Sequence, residues 1–372
     1  MPAKKETLCR RRRRSRIRFL EIFCRIMEQK VEEEAESLDS YFTFGIIADI
    51  QYADIENGQN YAKTKMRYYR NSLQLLQSAI EEWKKEVCCP SFVIQLGDII
   101  DGFNFQHKTS KISLKKVLQE IGKIEVPFHH IWGNHEFYNF DRLFLTNSEL
   151  NTTYLEDKTI QVSSSAGIGS PEDVDPQQFY AYHFSPFSKF RFILIDAYDL
   201  SILGRDLSSR KYKESLKLLR KNNPNENLNS PTGLAEKQFV QFNGGFSWEQ
   251  LHWLQRVLTF SDENKEKVVV IGHLPLHPDA ADPVCLAWNY KDALAVLQSH
   301  KCVVCYLAGH EHDGGYCLDS YGIHHVTLEG IIETPPNSHA FATVYVYDDR
   351  MVLHGRGRVS SRVMHYRKDS KV

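Results

Sequence analysis

Five short apolar runs, each closed by a polar motif, constrain the fold of this chain more than any other feature. The runs are FGIIA, SFVIQL, PFHHIW, KVVVI and CVVCYLA, and each is typical of a buried strand. The motifs that close them are, in order, Asp49-Ile50-Gln51, Gly97-Asp98-Ile99-Ile100-Asp101, Gly133-Asn134-His135-Glu136, Gly272-His273 and Gly309-His310-Glu311-His312. Parallel or mixed α/β sheets gather their sites at the carboxyl ends of the strands, so these polar side chains are predicted to meet at one sheet edge.

Helical patterns lie between the predicted strands. Apolar residues at helical spacing predict a long helix over about 61–86, and further helices near 110–124 and over 248–258. Strands that alternate with helices are typical of a largely parallel sheet. Residues 179–198 instead alternate between the two faces of a strand, which predicts a hairpin. The pattern alone therefore indicates the α/β class with a mixed sheet.

One folded domain is predicted over 41–366, preceded by a charged extension. Residues 1–30 hold eleven Lys or Arg against three Glu, and residues 31–40 hold five acidic residues. Residues 1–40 are therefore predicted to be a poorly ordered extension, with a targeting segment, a membrane-surface arm or a nucleic-acid arm as alternatives. Residues 199–246 are rich in Ser, Asn, Lys and Pro, and they are predicted to be an insertion loop that forms a wall or lid of the active site.

Cysteine and charge usage indicate where the chain works. The eight cysteines do not resemble a disulfide framework. Cys302 and Cys305 form a CxxC inside an apolar strand, where buried strand residues are favoured over a zinc or redox site. Unpaired thiols without a recognisable signal peptide indicate the cytoplasm. The net charge of −1 gives no overall bias toward binding nucleic acid. No apolar run is long enough to predict a membrane span. The chain is expected to be a monomer.

The residue types in the five motifs point to a metal centre. Carboxylate and amide oxygens mixed with imidazole nitrogens suit a pair of borderline divalent ions such as Mn²⁺. Two such ions about 3.5–4 Å apart form a clamp for attack on phosphorus. The motifs therefore predict a dimetal site for chemistry at phosphorus.

The ordered set of motifs resembles that of the calcineurin-like metallophosphoesterases, which carry D-x-H/Q, GDxxD, GNHE, GH and GHxH. The resemblance covers about 41–360 and implies a sandwich of two mixed β-sheets flanked by helices, with the dimetal site at the carboxyl ends of the strands. It implies a first ion held by Asp49, Gln51, Asp98 and His312. It implies a second ion held by Asp98, Asn134, His273 and His310, with Asp98 as the bridge.

Gln51 departs from most of that family, in which a histidine stands at this position. A neutral amide oxygen is a harder ligand than an imidazole nitrogen, so Gln51 is expected to weaken the first site and to favour Mn²⁺ over Zn²⁺. The cofactors that the resemblance implies are two divalent ions, with Mn²⁺ preferred and Zn²⁺, Fe²⁺ or Mg²⁺ as alternatives.

His135 and Asp101 are the candidate catalytic residues under the same resemblance. His135 is expected either to contact the phosphoryl group or to protonate the leaving oxygen, and both tasks suit an imidazole near neutral pH. Asp101 resembles the family's acid that orients this histidine. The implied reaction is in-line attack on phosphorus by a hydroxide held between the ions, without a covalent enzyme intermediate.

Finer segments narrow the substrate. GNHEFYNF, QFNGGFS over 241–247, CLAWNY over 285–290, and Gln51 resemble the manganese-dependent ADP-ribose/CDP-alcohol diphosphatases. That resemblance implies cleavage of a pyrophosphate to AMP or CMP and a phosphate ester such as phosphocholine. A cyclic-nucleotide phosphodiesterase or a phosphomonoesterase with the same metals is the alternative. A nuclease would use the basic tail, and a non-catalytic scaffold is disfavoured because every ligand position is filled.

Candidate pocket residues follow from side-chain chemistry. An aromatic ring can stack on a base, an arginine can meet a phosphate with two hydrogen bonds, and glycine lets a backbone approach a ligand closely. The candidates for substrate binding are Tyr61, Arg67, Tyr68, Phe137, Leu228, Asn243, Gly244, Gly245, Cys285 and Asn289. Their expected partner is a small nucleotide diphosphate, with no stable nucleic-acid partner.

Overall fold

Two six-stranded mixed sheets dominate the part of the chain that the structure describes. This computed structural model describes residues 40–60, 63–157 and 179–367. The strands are, in chain order, β1 (Phe42–Ile47), β2 (Gly58–Gln59), β3 (Met66–Arg67), β4 (Phe92–Gln95), β5 (Phe128–His130), β6 (Tyr182–Phe187), β7 (Phe190–Leu194), β8 (Lys267–Ile271), β9 (Val303–Ala308), β10 (Gly315–Leu318), β11 (His324–Thr327), β12 (Ala340–Val346), β13 (Arg350–Gly357) and β14 (Arg362–His365). The first sheet has the order β14-β13-β12-β1-β4-β5, the second has the order β10-β11-β9-β8-β7-β6, and β2 and β3 form a separate ribbon.

Helices and short 3₁₀ turns connect the strands. The helices are α1 (Tyr69–Lys85), α2 (Phe103–Gln106), α3 (Ser110–Ile121), α4 (Asn134–Asn139), α5 (Arg142–Thr146), α6 (Arg210–Asn222), α7 (Trp248–Glu263) and α8 (Tyr290–Gln298). The 3₁₀ turns are Thr153–Leu155, Pro283–Cys285 and Ile331–Glu333. In the described ranges, no helix combines the length and the apolar character that crossing a membrane requires.

Each of the five apolar runs forms a strand, as predicted. Strands β1, β4 and β5 run parallel in the first sheet, and β8 and β9 run parallel in the second, whereas β12, β13 and β14 extend the first sheet in antiparallel fashion. A hydrogen bond of 2.7 Å from His273 Nδ1 to the Leu96 carbonyl joins the end of β8 to the end of β4. The carboxyl ends of the motif-bearing strands in both sheets therefore meet.

Aromatic rings fill the space between the two sheets. Phe44 on β1 and Phe92 on β4 stack with ring centroids 5.3 Å apart, and Phe192 on β7 meets them edge-on at 5.1 and 5.2 Å. Stacked and edge-to-face contacts are favoured geometries for such rings. All three rings are buried, so the sheets pack as the sandwich that the family resemblance implies.

Helix α1 covers the outer face of the first sheet and begins later than predicted. Its apolar stripe buries Trp83, whose ring lies edge-on to a phenylalanine of β12 with centroids 5.3 Å apart. The sequence pattern places the helix start near residue 61, but α1 begins at Tyr69. The earlier start is wrong because Asn60 Oδ1 accepts a hydrogen bond from the Thr64 N–H at 2.9 Å, and this turn directs the chain into the β2–β3 ribbon.

Helix α6 lies within residues 199–246, which the sequence pattern predicts to be an insertion loop. The hydroxyl of Ser209 caps α6 by accepting a hydrogen bond from the Tyr212 N–H at 3.1 Å, and Leu219 packs with Trp288 in a small apolar cluster. Lys and Arg dominate the exposed surface of α6, and its apolar face is narrow, so the segment reads as polar and the sequence pattern does not predict a helix there.

The remaining element predictions are confirmed with shifted ends. The hairpin predicted over 179–198 forms β6 and β7, and the helices predicted near 110–124 and over 248–258 form α3 and α7. Cys305 is buried within β9, and the cysteines of the described residues form no disulfide. Residues 1–39, most of the predicted extension, and the pocket candidate Tyr61 lie outside the described residues.

Candidate metal centre

Polar side chains from both sheets meet where the carboxyl ends of the strands come together. The residues that the sequence analysis named as ligands follow β1, β4, β5, β8 and β9, and they are Asp49, Gln51, Asp98, Asn134, His273, His310 and His312. Asp98 Oδ2 lies 3.1 Å from Gln51 Nε2 and 3.4 Å from His273 Nε2. One potential ligand atom from each of Asp98, His273 and His310 lies within 4.8 Å of the other two.

Further short contacts tie Asp49 and His312 to this cluster. His312 Nε2 lies 3.0 Å from Gln51 Nε2 and 3.5 Å from Asp49 Oδ1. The backbone N–H of His310 donates to Asp49 Oδ2 at 3.0 Å. Asp49 and Asp98 are at most 1% exposed, so two carboxylates stand beside three imidazoles with almost no access to bulk water.

The backbone adopts left-handed angles at four of the seven positions. The φ values are +49° at Asp49, +43° at Gln51, +56° at Asp98 and +70° at His310. None of these residues is glycine, and holding an ordinary residue in this region costs roughly 1–2 kcal/mol. Backbone strain of this kind clusters at functional sites, where the surrounding structure enforces it.

Glu136 holds the backbone beside Asp98 in place. Its carboxylate accepts hydrogen bonds from the N–H groups of Gly133 at 2.6 Å, Asp98 at 2.8 Å and Ile99 at 2.7 Å. These three donors belong to the loops that follow β4 and β5, and Glu136 is 1% exposed. The Glu136 carboxylate therefore links the ends of two strands and supports the left-handed turn that aims Asp98.

The substitution Glu136→Gln is expected to destabilise the chain and to weaken Mn²⁺ binding. Both carboxylate oxygens act as acceptors, so an amide NH₂ in place of one oxygen would face a backbone N–H. An unsatisfied buried group of this kind costs about 1–3 kcal/mol. Urea unfolding and calorimetric Mn²⁺ titration measure the two effects. Glu81→Gln, which removes an exposed carboxylate on α1, is the matched control, and a Glu136 variant that matches this control in both measurements would contradict the positioning role.

Two histidines are oriented by hydrogen bonds to their second nitrogen. His273 Nδ1 must donate to the Leu96 carbonyl at 2.7 Å, since a carbonyl can only accept, so Nε2 is the nitrogen that faces Asp98. His312 Nδ1 lies 3.0 Å from Glu333 Oε1, so Nδ1 carries a proton and Nε2 faces Gln51. Such contacts fix the tautomer and the ring plane of a metal-binding histidine.

Asn243 plays the same role for His310. Its amide nitrogen donates to the carbonyls of Gln238 at 3.0 Å and Val284 at 2.6 Å, so its Oδ1 is the atom that lies 2.9 Å from His310 Nε2. His310 therefore donates from Nε2 and keeps Nδ1 free for an ion. Asn243 is fully buried, which puts this predicted substrate contact behind a candidate ligand.

The electrostatics of the cluster favour positive charge at its centre. Burial raises the pKa of the Asp98 carboxyl, but the charges on His273 and His135 outweigh burial and hold that pKa well below its usual range. Burial lowers the pKa of His273, yet the Asp98 charge raises it to about 9. Burial also lowers the pKa of His312, but its contacts with Asp49 and Glu333 raise that pKa to about 9. Divalent ions would supply the positive charge that these protons supply otherwise.

Buried atoms without hydrogen-bond partners indicate where ions would fit. Asp49 Oδ1, Gln51 Oε1 and His273 Nε2 are buried and have no hydrogen-bond partner. A half-turn of the Gln51 amide would place its oxygen near His312 Nε2 and Asp98 Oδ2, where it could serve as a metal ligand. Carboxylate and amide oxygens suit Mn²⁺, and imidazole nitrogens bind divalent transition metals, so the donor set fits a pair of divalent ions.

His135 stands at the rim of the centre with one nitrogen held by the backbone. The Gly102 N–H donates to His135 Nδ1 at 2.9 Å, and Asp101 Oδ2 lies 3.5 Å from the same nitrogen. A neutral ring that accepts at Nδ1 carries its proton on Nε2, which lies 3.9 Å from Asp98 Oδ2. His135 therefore presents an N–H donor to the metal centre, and the Asp101 carboxylate lies beside its other nitrogen.

A cleft of about 410 Å³ opens over the metal centre. Of the pocket candidates named from the sequence, Arg67 and Cys285 line this cleft, together with Phe242, whose ring centroid lies 5.7 Å from that of His310. The Cys285 thiol donates to Glu311 Oε2 at 3.2 Å. Among the residues that the structure describes, the cleft thus gathers a guanidinium cation, an aromatic ring and a thiol.

Other pocket candidates have packing contacts elsewhere in the described chain. The Phe137 ring is buried under the Arg142 guanidinium, 4.7 Å from the ring centroid, and Leu228 belongs to the cluster around Trp288. Asn289 exchanges hydrogen bonds with both backbone groups of Phe246. Tyr68 is half-buried, and Gly244 and Gly245 are buried.

Sequence reasoning missed three residues that contact the site. Glu136 and Phe242 stood inside the quoted segments GNHEFYNF and QFNGGFS, so their positions were visible while their roles were not. Glu333 had no motif context at all, although it binds His312 Nδ1 and lies 3.5 Å from Arg67 Nε. Only the pairing of distant segments reveals its role.

The fold and this donor set define a metal-dependent phosphohydrolase. Two mixed sheets with carboxylates, amides and imidazoles at their shared carboxyl edge supply the clamp that chemistry at phosphorus requires. The chain belongs to the calcineurin-like phosphoesterase family, whose sequence model matches residues 42–314.

Known proteins resemble this chain over most of its length. A Bos taurus protein named manganese-dependent ADP-ribose/CDP-alcohol diphosphatase is 60% identical over 345 residues, which cover 92% of this chain and 100% of the relative. An Arabidopsis thaliana protein of the same name is 36% identical and covers 86% of this chain and 96% of its own length. A crystal structure described as a dimetal phosphatase from Danio rerio superposes with a TM-score of 0.80 at 51% identity, covering 88% of this chain and 100% of that one.

Proposed function

We propose that this chain hydrolyses the pyrophosphate bond of ADP-ribose and of CDP-alcohols, with Mn²⁺, to give AMP or CMP and a phosphate ester. The observation that carries the proposal is the complete donor set, present in a chain that is 60% identical to a relative with this name. The cleft above the donor set, with Arg67 at its wall, supports a small phosphorylated substrate.

The candidate ligands divide into two sets that share Asp98. Asp49, Gln51, Asp98 and His312 would hold the first ion, and Asp98, Asn134, His273 and His310 would hold the second. When bound, two divalent ions supply Lewis-acid charge that activates water and offsets the negative charge developing on the phosphoryl oxygens. The protein contributes the oriented imidazoles, the supported turn at Asp98 and two buried carboxylates.

His135 acts in this proposal as a hydrogen-bond donor to the phosphoryl group. The Gly102 N–H occupies Nδ1, so a neutral ring can share its Nε2 proton with a phosphoryl oxygen but would become an imidazolate if it released that proton. The group that leaves in pyrophosphate cleavage is a phosphate monoester, whose second pKa is about 6. Such a group departs near neutral pH without being protonated, so the reaction does not require a general acid.

Cationic side chains at the cleft wall support binding of the diphosphate. Lys65 pairs with Asp313, and Arg67 lies 3.5 Å from Glu333 while also lining the cleft. A guanidinium can meet two phosphate oxygens at once. The Glu333 carboxylate, which also contacts His312, thus couples the orientation of Arg67 to that of a candidate ligand.

Product analysis with Mn²⁺ tests the proposed function. The substrates are ADP-ribose, CDP-choline, a cyclic nucleotide, a phosphopeptide and p-nitrophenyl phosphate. We expect AMP from ADP-ribose and CMP from CDP-choline, with both reactions lost when EDTA removes the metal. Turnover of the cyclic nucleotide or the phosphopeptide alone would reject the diphosphatase and keep the metal centre. No turnover by metal-loaded protein would favour a scaffold.

The substitution Gln51→His is expected to shift the metal preference. An imidazole in place of the amide oxygen adds a softer donor to the first site, which favours Zn²⁺ relative to Mn²⁺. We expect the Zn²⁺ affinity of the first site to rise by about tenfold and the ratio of Mn²⁺ to Zn²⁺ activity to fall. Competition titration and metal analysis measure these changes, with Gln59→His on the exposed β2 strand as the control. An unchanged ratio of Mn²⁺ to Zn²⁺ activity would show that Gln51 does not set the metal preference.

Three wider features belong to the same proposal. The chain acts as a monomer in the cytoplasm, without a stable nucleic-acid partner. The free cysteines among the described residues support the compartment, and the net charge of −1 supports the absence of a nucleic-acid partner. Residues 1–40 form an extension outside the catalytic domain over 41–366, and residues 199–246 form a wall of the active site. Deletion of residues 1–30 should leave hydrolysis of CDP-choline unchanged, whereas a nuclease that uses the basic tail would lose activity.

A further inference from the structure

An open groove adjoins the metal cleft beside His135. It holds about 400 Å³, and Phe103, Phe105 and Gln106 of α2 line it together with Tyr138 of α4. Arg67, His135 and Tyr138 line both the groove and the cleft. The groove therefore adjoins the cleft at the side chains that would stand closest to a phosphate at the metal centre.

Helix α2 presents two aromatic rings to the groove from a rigid support. Between the rings lies Asn104, which is 1% exposed; its amide nitrogen donates to two backbone carbonyls at 2.7 and 2.9 Å, and its Oδ1 accepts from the Ser113 hydroxyl at 2.6 Å. Phe103 is nonetheless 39% exposed and Phe105 is 64% exposed. The Asn104 side chain thus anchors the backbone that carries both rings, and the Phe103 ring also lies edge-on to that of Tyr69 with centroids 5.8 Å apart.

Charged side chains of both signs line the groove together with the aromatic rings. Arg67 lies at the wall shared with the cleft, where it can meet the phosphate. Asp101 is 2% exposed and lies behind His135, with its Oδ2 3.5 Å from His135 Nδ1. Quaternary ammonium groups are attracted to the faces of aromatic rings within about 6 Å of the centroid. A nearby carboxylate adds to that attraction.

We propose that the groove binds the alcohol half of the substrate and selects alcohols with a quaternary ammonium head, as in CDP-choline. This inference rests on the proposed diphosphatase function, because the groove is a subsite of the same metal centre. The wall formed by Phe242 and Cys285 then remains for the nucleoside half. The open groove accommodates alcohols of different size, while its rings give the cationic alcohols an advantage.

Ligand binding tests the groove independently of turnover. Calorimetry with the Mn²⁺-loaded full chain compares phosphocholine, its neutral isostere 3,3-dimethylbutyl phosphate, and inorganic phosphate. We expect phosphocholine to bind about tenfold more tightly than inorganic phosphate, with the isostere between them. In the double variant Phe103→Ala/Phe105→Ala, we expect the three ligands to bind alike. Trp248→Ala removes a ring that is 72% exposed on α7, and this matched control should keep the wild-type order.

Turnover measurements distinguish the proposed role of the groove from the proposed diphosphatase function. In the double variant, kcat/KM for CDP-choline should fall about tenfold, while that for ADP-ribose, whose second half is an uncharged sugar, should change by no more than about twofold. Equal binding of phosphocholine and inorganic phosphate by the wild type would overturn the proposed role of the groove, even if CDP-choline is hydrolysed. A wild type that hydrolyses neither substrate would overturn the proposed diphosphatase function. The order of ligand affinities would still show whether the groove selects a quaternary ammonium head. An equal loss for both substrates would assign the rings to the nucleoside instead.

Discussion

The substitution Asp98→Asn is expected to lower kcat for CDP-choline with Mn²⁺ by about a thousandfold or more. Asp98 is the side chain shared by both ligand sets, and its Oδ2 lies 3.1 Å from Gln51 Nε2 and 3.4 Å from His273 Nε2. Asparagine preserves the size of the side chain, and its oxygen can still accept the hydrogen bond that the backbone N–H of His135 donates to Asp98 Oδ1 at 2.8 Å. The change removes the negative charge that both ligand sets would share, so we expect fewer than two Mn²⁺ ions per chain.

Folding should survive this change, which allows a clean measurement. His273 can release its proton once the carboxylate is gone, so no buried charge is left unpaired, and the metal-free stability is expected to stay within about 1 kcal/mol of wild type. Elemental metal analysis, urea unfolding and kcat are measured together. Asp54→Asn removes a carboxylate that is 56% exposed and pairs with Arg70, and it serves as the control. Normal turnover with two bound ions in Asp98→Asn would refute the bridging role.

Truncation of the proposed hydrogen-bond donor, His135→Ala, is expected to lower kcat by about 100- to 1000-fold, with a smaller change in KM. A preorganised donor acts mainly on the charge that develops in the transition state, and this explains why kcat carries the loss. His135→Gln should recover part of that loss, because a glutamine amide can donate a hydrogen bond although it cannot act as an acid near neutral pH.

Comparison of the two His135 variants decides between the roles that the sequence left open. If His135 instead protonates the leaving oxygen, alanine and glutamine will be equally inactive toward ADP-ribose. Both variants would then be rescued by substrates with better leaving groups, since such substrates do not need an acid. A wild-type kcat that falls as pH rises, with that dependence absent in His135→Ala, would also favour the acid. Metal content should equal that of wild type in both variants.

Much of the fold could be predicted because its signals are local. A buried strand is a continuous apolar run, and β1, β4, β5, β8 and β9 were recognisable one at a time. The start of α1 was misplaced because the turn at Asn60 depends on a side chain that folds back on its own backbone. Helix α6 was missed because its exposed Lys and Arg side chains outnumber the few apolar residues that it buries.

The candidate ligands could be named from the sequence because each of them directly follows a strand, and the alternation of strands and helices brings such positions to one edge. Their supporting contacts could not be named in that way. His310 meets Asn243 across 67 residues, and Gln51 meets His312 across 261. Phe137 shows the same limit. Its place in the GNHEFYNF segment beside the ligands made it a candidate for substrate binding, but its ring lies under the Arg142 guanidinium.

The strands, the order of the motifs and the chemistry of the donor set follow from residue type and from periodicity along single elements, so they can be predicted from the chain alone. Folding sets three further features: which nitrogen of each histidine faces the centre, the support that Glu136 gives to the turn at Asp98, and the groove on α2 beside the metal cleft. These features depend on hydrogen bonds and contacts that act over about 3 Å, and the distance between two residues in space cannot be calculated from their spacing along the chain.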